Sequence, residues 1–278
     1  SKVQFYFFMM NNFSERLIFG CCNLSANKTK KKALAILNYA EKLGFRFFDT
    51  APLYSRGYSE LLIGEAFNLK KDIKVITKVG NYSIPKIYVP ASIALPLNSI
   101  KNNLKLWNYK KSKKVSRIPE NNFNVKDNFI NQVKNSRKNL NYLNIDGILF
   151  HEINPFKLSN TQVEELNIYL NNKNINKLGY AGKFHKELTE LNLPNWMKIL
   201  QLEIPFELNE TNEFEILKLI DKNKDIEFRF FNIFKEKKLI DKRMNAAKKI
   251  LNDFPNTKII FQTKSLKRLE NNFLFFTS

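Results

Sequence analysis

Short apolar runs alternate along this chain with longer segments in which apolar positions recur every three or four residues. The short runs, rich in Phe, Ile, Leu and Val, fit strands buried on both faces, and the longer segments fit amphipathic helices. The predicted strands are RLIFGC (16–21), FRFFDT (45–50), IKVITKV (73–79), IDGILFH (145–151), KLGYA (177–181), KILQLEI (198–204), IEFRFFNI (226–233) and KIIFQT (258–263). Between the first two, KTKKKALAILNYAEKLG (28–44) sets Ala33, Ile36, Leu37 and Ala40 on one face and closes at Gly44, a helix-stop residue. Segments 124–140 and 241–254 are patterned in the same one-sided way, and a last helix starts near Ser265. Such alternation wraps helices around a parallel sheet, and eight units are the number that closes it. The expectation is an α/β chain folded as a (β/α)8 TIM barrel, a single domain over 1–278 with a long insertion, 81–122, after strand 3.

Composition is compatible with that core. A chain of 278 residues is long for one ordinary domain but within the range of a closed barrel. With 44% hydrophobic and 13% aromatic residues, wholesale disorder is disfavoured. The formal net charge of +20 invites a polyanion as partner. The cations are dispersed, however, apart from the block Lys101 to Arg117, which lies in an acid-free stretch from Ile73 to Pro119. That block reads first as a solvated loop and second as the neighbourhood of an anionic substrate or cofactor; nucleic acid ranks last. Cys21 and Cys22 are adjacent, a spacing that rarely meets disulfide geometry, so a secreted, disulfide-stapled protein is disfavoured. The opening SKVQFYFFMMNNF is too short an apolar patch for a membrane span and has no clear cleavage site, so a cytoplasmic protein with no membrane partner is expected.

Chemistry enters at the strand ends. In a parallel barrel, side chains at the C-terminal ends of the strands converge on one mouth. Asp49 ends strand 2, Lys78 ends strand 3, His151 ends strand 4, and Tyr54 follows strand 2 in the next loop. Taken singly, each has a structural explanation: a turn brace, a packing ring, a snorkelling cation, a core histidine. Taken together, they place four proton-handling groups at one end of consecutive strands. A tyrosine, with a pKa near ~10, is an inefficient proton donor at neutrality unless its phenolate is favoured. An ammonium about 4 Å away at an effective dielectric of about 20 contributes roughly 4 kcal/mol, about three pKa units before desolvation takes some back. Asp49 would keep that lysine charged and aimed, and a neutral His151 would orient a carbonyl oxygen. The assembly suits protonation of a carbonyl oxygen as its carbon accepts hydride.

These residues carry a resemblance to the aldo-keto reductase family. DTAPLYSRGYSELLIGEAF matches the family signature, with Asp49 and Tyr54 at its aspartate and catalytic tyrosine, and Glu60 and Gly64 continuing it. VITKVG supplies Lys78, IDGILFHEINP supplies His151, and NQVKNSRKNLNYLNID looks like the family's Ser-containing helix before strand 4. The resemblance runs from about Arg16 to Phe273. It implies a barrel that binds NADP(H), in preference to NAD(H), extended across its mouth without a Rossmann domain, and that acts on a small carbonyl or sugar substrate. No strand–GxGxxG–helix unit is present, which agrees.

The cofactor half of the family pattern is altered in places. Gln201 matches the glutamine used toward the nicotinamide carboxamide. After strand 5, where a Ser-Asn pair is usual, LGYAGKF puts Ala181 and Gly182, losing both side-chain hydrogen bonds. After strand 7, RFFNIFKEKKL replaces a small, glycine-containing pyrophosphate loop; Lys235, Lys237 or Lys238 either substitutes electrostatically or faces solvent. FQTKSLKRLENNF resembles the adenosine-phosphate segment, which implies Thr263, Lys264 and Arg268 around a 2′-phosphate and Asn272 toward adenine. Tyr82, Tyr88 and Trp107 in the insertion are candidate walls of the substrate pocket. His185 reads as a surface residue, and one of the two cysteines could line the mouth, although packing is the simpler role. No zinc spacing, GxSxG elbow or recognised Cys-His pair is present, which leaves no metal expected. The competing functional class is a non-catalytic or regulatory barrel that keeps the four groups but binds cofactor weakly.

Overall fold

Eight parallel strands close into a barrel in sequence order in the computed structural model, which describes residues 15–24, 29–80, 90–96, 125–151, 158–184, 187–190, 192–203, 210–233 and 240–277. The strands are β1 (Leu17–Gly20), β2 (Phe47–Asp49), β3 (Lys74–Gly80), β4 (Asn144–His151), β5 (Leu178–Lys183), β6 (Met197–Glu203), β7 (Glu227–Phe231) and β8 (Thr257–Phe261). Helices α1 (Lys30–Lys42), α2 (Tyr58–Ala66), α3 (Val125–Asn139), α4 (Asn160–Asn171), α5 (Glu187–Glu190), α6 (Glu210–Lys222), α7 (Ile240–Asp253) and α8 (Leu266–Thr277) follow the strands in turn. The predicted (β/α)8 architecture is the observed one.

Residue alternation along the strands divides the apolar side chains into two layers. Outward positions such as Phe19, Phe48, Val75 and Phe228 pack with the helices into one continuous outer core. Inward positions Ile18, Phe47, Ile76, Leu149, Ala181, Ile199 and Ile260 form a separate slab inside the barrel. The next inward position beyond this slab brings Asp49, Lys78, His151 and Gln201 to one end.

Local sequence explains the helix ends that hold the mouth. Thr29 caps α1 by accepting from the Lys32 amide, its buried residues are the predicted Ala33, Ile36, Leu37 and Ala40, and Gly44 takes φ 108° where the chain turns back. Gly57, at φ 91°, launches α2. At Gly64 a Cβ would lie 2.5 Å from the Asn139 carbonyl oxygen, so glycine here lets α2 lie against the end of α3. The turn after β8 begins two residues before the predicted strand end, because the Thr263 hydroxyl accepts from the Ser265 amide and starts the cap of α8.

The insertion after β3 falls outside the described residues except for 90–96, a helical turn whose Leu95 is buried in the outer core. The basic block Lys101 to Arg117, Tyr82, Tyr88, Trp107, His185, Lys235, Lys237 and Lys238 also lie outside the described residues. Among the described residues, no helix is long and apolar enough to cross a membrane, and no group of three or more His, Cys, Asp or Glu side chains could hold a metal ion.

Candidate active site

The end of the barrel that carries Asp49 opens into a cavity of about 1040 Å³. Asp49, Tyr54, Lys78 and His151 all line it. Lys78 is 1% exposed, and its Nζ donates to Asp49 Oδ1 at 2.6 Å and to the Thr50 carbonyl at 2.8 Å. Two anchors fix this ammonium from below and beside. Its Nζ stands 4.7 Å from the centroid of the Tyr54 ring, so the cation lies over the aromatic face.

Tyr54 owes its position to a short turn. Its amide donates to the Ala51 carbonyl, and Tyr54–Gly57 form one 3-10 turn between β2 and α2. Ser55, at φ 54°, donates its hydroxyl to the Cys22 carbonyl, tying this turn to the end of β1. Beneath it, Thr50 and Ser59 share a hydrogen bond of 2.8 Å, and Ser59 donates to the Cys21 carbonyl at 3.0 Å. The two cysteines divide: Cys21 is buried in the outer core and Cys22 is exposed and lines the cavity.

His151 closes β4, paired in register with Gly80 on one side and Ala181 on the other. Burial, with the nearby Lys78 cation, pushes this imidazole down to about 4, so it is neutral around pH 7.

Behind these groups stand supports of which the sequence singled out Glu60, as part of the signature, but not Gln132. Gln132 of α3 clamps the end of β3: its Nε2 donates to the Gly80 carbonyl and its Oε1 accepts from the Gly80 amide. Glu60, fully buried, accepts from Thr77 at 2.7 Å and from Asn139 at 3.1 Å, and burial raises its carboxyl. The available signal was a glutamine spaced with Phe129, Val133 and Ser136 on one helix face, a polar group where a core residue would sit. Tyr180 and Phe231 also line the cavity and were not singled out.

The cofactor candidates separate in the structure. Gln201 is 2% exposed on β6, in register with Ala181, and its Oε1 is a buried acceptor with no hydrogen-bond partner among the described residues. A primary carboxamide would satisfy it, so this residue fits the nicotinamide end of a dinucleotide. Thr263, Lys264, Ser265 and Arg268 line the same cavity at the start of α8, where Ser265 Oγ accepts from the Arg268 amide. Two exposed cations beside a helix N-terminus fit an anionic group. Asn272 is half-buried one turn further along α8 and is not among the residues that line the cavity.

The closed eight-stranded barrel thus gathers Asp49, Tyr54, Lys78 and His151 at its C-terminal mouth. The model of the Aldo/keto reductase family matches residues 16–258, and the chain belongs to that family. Over 63 residues it is 46% identical to the uncharacterized oxidoreductase YqkF of Bacillus subtilis, a stretch that covers 22% of this chain and 20% of that protein. Among solved structures, an aldo-keto reductase of Bacillus halodurans in its holo form superposes with a TM-score of 0.66 at 17% identity, covering 95% of this chain and 87% of that one. A glycerol dehydrogenase of Gluconobacter oxydans gives 0.63 at 16% identity, covering 94% and 86%. A Klebsiella pneumoniae aldo-keto reductase in complex with NADPH gives 0.61 at 13%, covering 95% and 86%. At these identities the structural likeness is one of fold.

Proposed function

We propose that this chain is an NADPH-dependent oxidoreductase that interconverts a carbonyl group and an alcohol on a small substrate, an aldehyde, a ketone or a sugar, with Tyr54 as the general acid and base. The observation that carries this reading is the Lys78 ammonium, held by Asp49 and the Thr50 carbonyl over the ring of Tyr54 at the floor of an open cavity. In reduction, the Tyr54 hydroxyl gives its proton to the substrate oxygen, and the fixed ammonium stabilises the negative charge left on the phenol. Neutral His151 donates a hydrogen bond to the same oxygen and orients it, since an imidazole that protonates only near 4 is no proton source around neutrality. Asp49 keeps the ammonium aimed and offsets the cost of its burial. In oxidation of an alcohol, Tyr54 takes the proton back.

NADPH bound at this mouth supplies the hydride. Gln201 would hold its carboxamide, and Thr263, Lys264 and Arg268 its adenosine phosphate, with Asn272 further along α8 toward the adenine. The NADPH complex of the Klebsiella pneumoniae relative supports nicotinamide use, and the exposed Lys264 and Arg268 support a preference for the 2′-phosphate. The Gluconobacter oxydans relative, a glycerol dehydrogenase, supports a polyol or sugar among the substrates to be tried. The proposed domain is the single barrel over 1–278; the insertion at 81–122, a candidate substrate wall from the sequence, lies outside the described residues except for 90–96. A cytoplasmic setting belongs to this reading, since the two cysteines, Cys21 and Cys22, are adjacent, a spacing that rarely meets disulfide geometry.

One observation favours a second reading. Ala181 and Gly182 put no polar side chain on the β5 side of the mouth, which suits a regulatory barrel with weak cofactor binding. Titration with NADPH and NADH, followed by a panel of aldehydes and sugars, separates the two. Tight NADPH binding and its oxidation on adding a carbonyl compound support the enzyme; no binding of either nucleotide supports the regulatory barrel. Within the same titration, Arg268→Ala should weaken NADPH by about tenfold and leave NADH within about twofold. Equal losses would remove the 2′-phosphate role of Arg268.

A further inference from the structure

The β5 side of the cavity is built in an unusual way. Ala181 offers only a methyl group and Gly182 no side chain, and the Gly182 backbone is not in the left-handed region that would call for glycine. The reason for glycine is the neighbouring ring. A Cβ on Gly182 would lie 2.3 Å from the Tyr180 hydroxyl oxygen, 2.5 Å from Cζ and 2.7 Å from Cε1. The phenol therefore occupies the space into which a side chain of residue 182 would leave the backbone.

By strand alternation Tyr180 is an outward residue, and its ring packs against the outer core. It nonetheless lines the cavity, and its hydroxyl lies beside Gly182, which lines the same cavity. Burial raises its phenol, so the group keeps its proton and can donate. On the adjacent strand, Gln201 pairs in register with Ala181 and lines the same cavity, and its buried Oε1 has no hydrogen-bond partner among the described residues. A primary carboxamide has N–H donors and one carbonyl acceptor. Gln201 Oε1 can take an N–H, and the carbonyl then calls for a side-chain donor, which residues 181 and 182 lack.

We infer that the Tyr180 hydroxyl is that donor: it holds the carboxamide carbonyl of the bound nicotinamide while Gln201 holds the amide N–H. The inference rests on the proposed use of NADPH and assigns Tyr180 as a cofactor-binding residue peculiar to this arrangement of β5. Gly182 is then part of the device, since only a residue without Cβ leaves the phenol its place.

Calorimetric titration of the full chain with two ligands tests it: NADPH, and 2′-phospho-ADP-ribose, which lacks the nicotinamide. Tyr180→Phe removes one oxygen and should weaken NADPH by about tenfold while leaving the nicotinamide-free ligand within about twofold. Gly182→Ala, whose methyl displaces the ring, should do the same, and the double variant should be no worse than the weaker single one. Retained affinity for 2′-phospho-ADP-ribose reports that each variant is folded. Unchanged NADPH affinity in Tyr180→Phe, or equal loss of both ligands in both variants, would overturn the role of Tyr180 and leave the cofactor reading standing. A wild-type chain that binds neither ligand would overturn the cofactor reading itself, and this inference with it.

Discussion

The two ends of the barrel both bury charge inside the ring of strands, and they dispose of it in opposite ways. At the N-terminal ends of the strands, Arg229, with 0% of its side chain exposed, pairs with Glu227 and, at 3.2 Å, with Asp146. Lys177 bridges the same two carboxylates at 3.2 and 3.3 Å, and Lys258 approaches Glu227 at 3.5 Å with its Nζ 3.7 Å from the centroid of the Phe47 ring. Burial alone would raise Glu227; Arg229, Lys258 and Lys177 outweigh it and hold the carboxylate down to about 2. Lys258 is pushed down to about 8 by burial, in spite of Glu227. Each charge here has an opposite charge beside it, although Arg229 Nη1 has no hydrogen-bond partner among the described residues. At the mouth Lys78 pairs with Asp49 next to a neutral His151, an open cavity and a Gln201 Oε1 that has no hydrogen-bond partner among the described residues. The apolar slab from Ile18 to Ile260 separates the two ends. A network of mutually paired charges holds strands together, whereas a fixed pair beside an opening leaves donors and field for a ligand.

The sharpest break of this contrast is Arg229→Met. Removing the central cation leaves Glu227 and Asp146 buried with too little positive charge, and urea unfolding should show a loss of about 3–5 kcal/mol. The kcat of the folded fraction should stay near wild type. A variant of wild-type stability, or one that folds normally and is inactive, would erase the distinction between the ends.

Acid titration gives a somewhat smaller effect and separates the ends by pH window. His151 has a folded value of about 4 against 6.5 unfolded, so the unfolded chain binds the extra proton and stability falls as pH drops from 6.5 toward 4. Glu227 has a folded value of about 2 against 4.5, so its contribution is present above 4.5 and is lost as pH falls toward 2. Each is worth at most about 3 kcal/mol. His151→Gln should flatten the upper window and Glu227→Gln the lower one in pH-dependent urea melts. Unchanged slopes in either variant would remove that group from the account.

What was legible in the sequence follows the range of the interactions. Strand and helix positions, the inward face of α1, and the arrival of Asp49, Lys78 and His151 at one mouth all follow from local periodicity plus the direction of the strands. The lower charge network does not. In IEFRFF, Glu227 and Arg229 alternate with Phe228 and Phe230 as they would on a strand with one solvated face, and only closure of the barrel turns that face inward. Asp146 meets Arg229 across 83 residues of sequence. Gln132 was hidden for the same reason, since its partner Gly80 lies 52 residues away. Asn272, which the resemblance places toward adenine, is half-buried on α8 and is not among the residues that line the cavity. Tyr180 required atomic detail, because alternation assigns it to the outer core and only the structure shows it lining the cavity with its hydroxyl beside Gly182.

The central claim is that the Tyr54 hydroxyl, beside the clamped ammonium of Lys78, moves the proton. The most direct measurement compares wild type and Tyr54→Phe for NADPH oxidation with a carbonyl substrate that wild type reduces, together with NADPH affinity by calorimetry. The account predicts turnover lower by about 10²- to 10⁴-fold with NADPH affinity within about twofold. Turnover at the wild-type rate in Tyr54→Phe would contradict it.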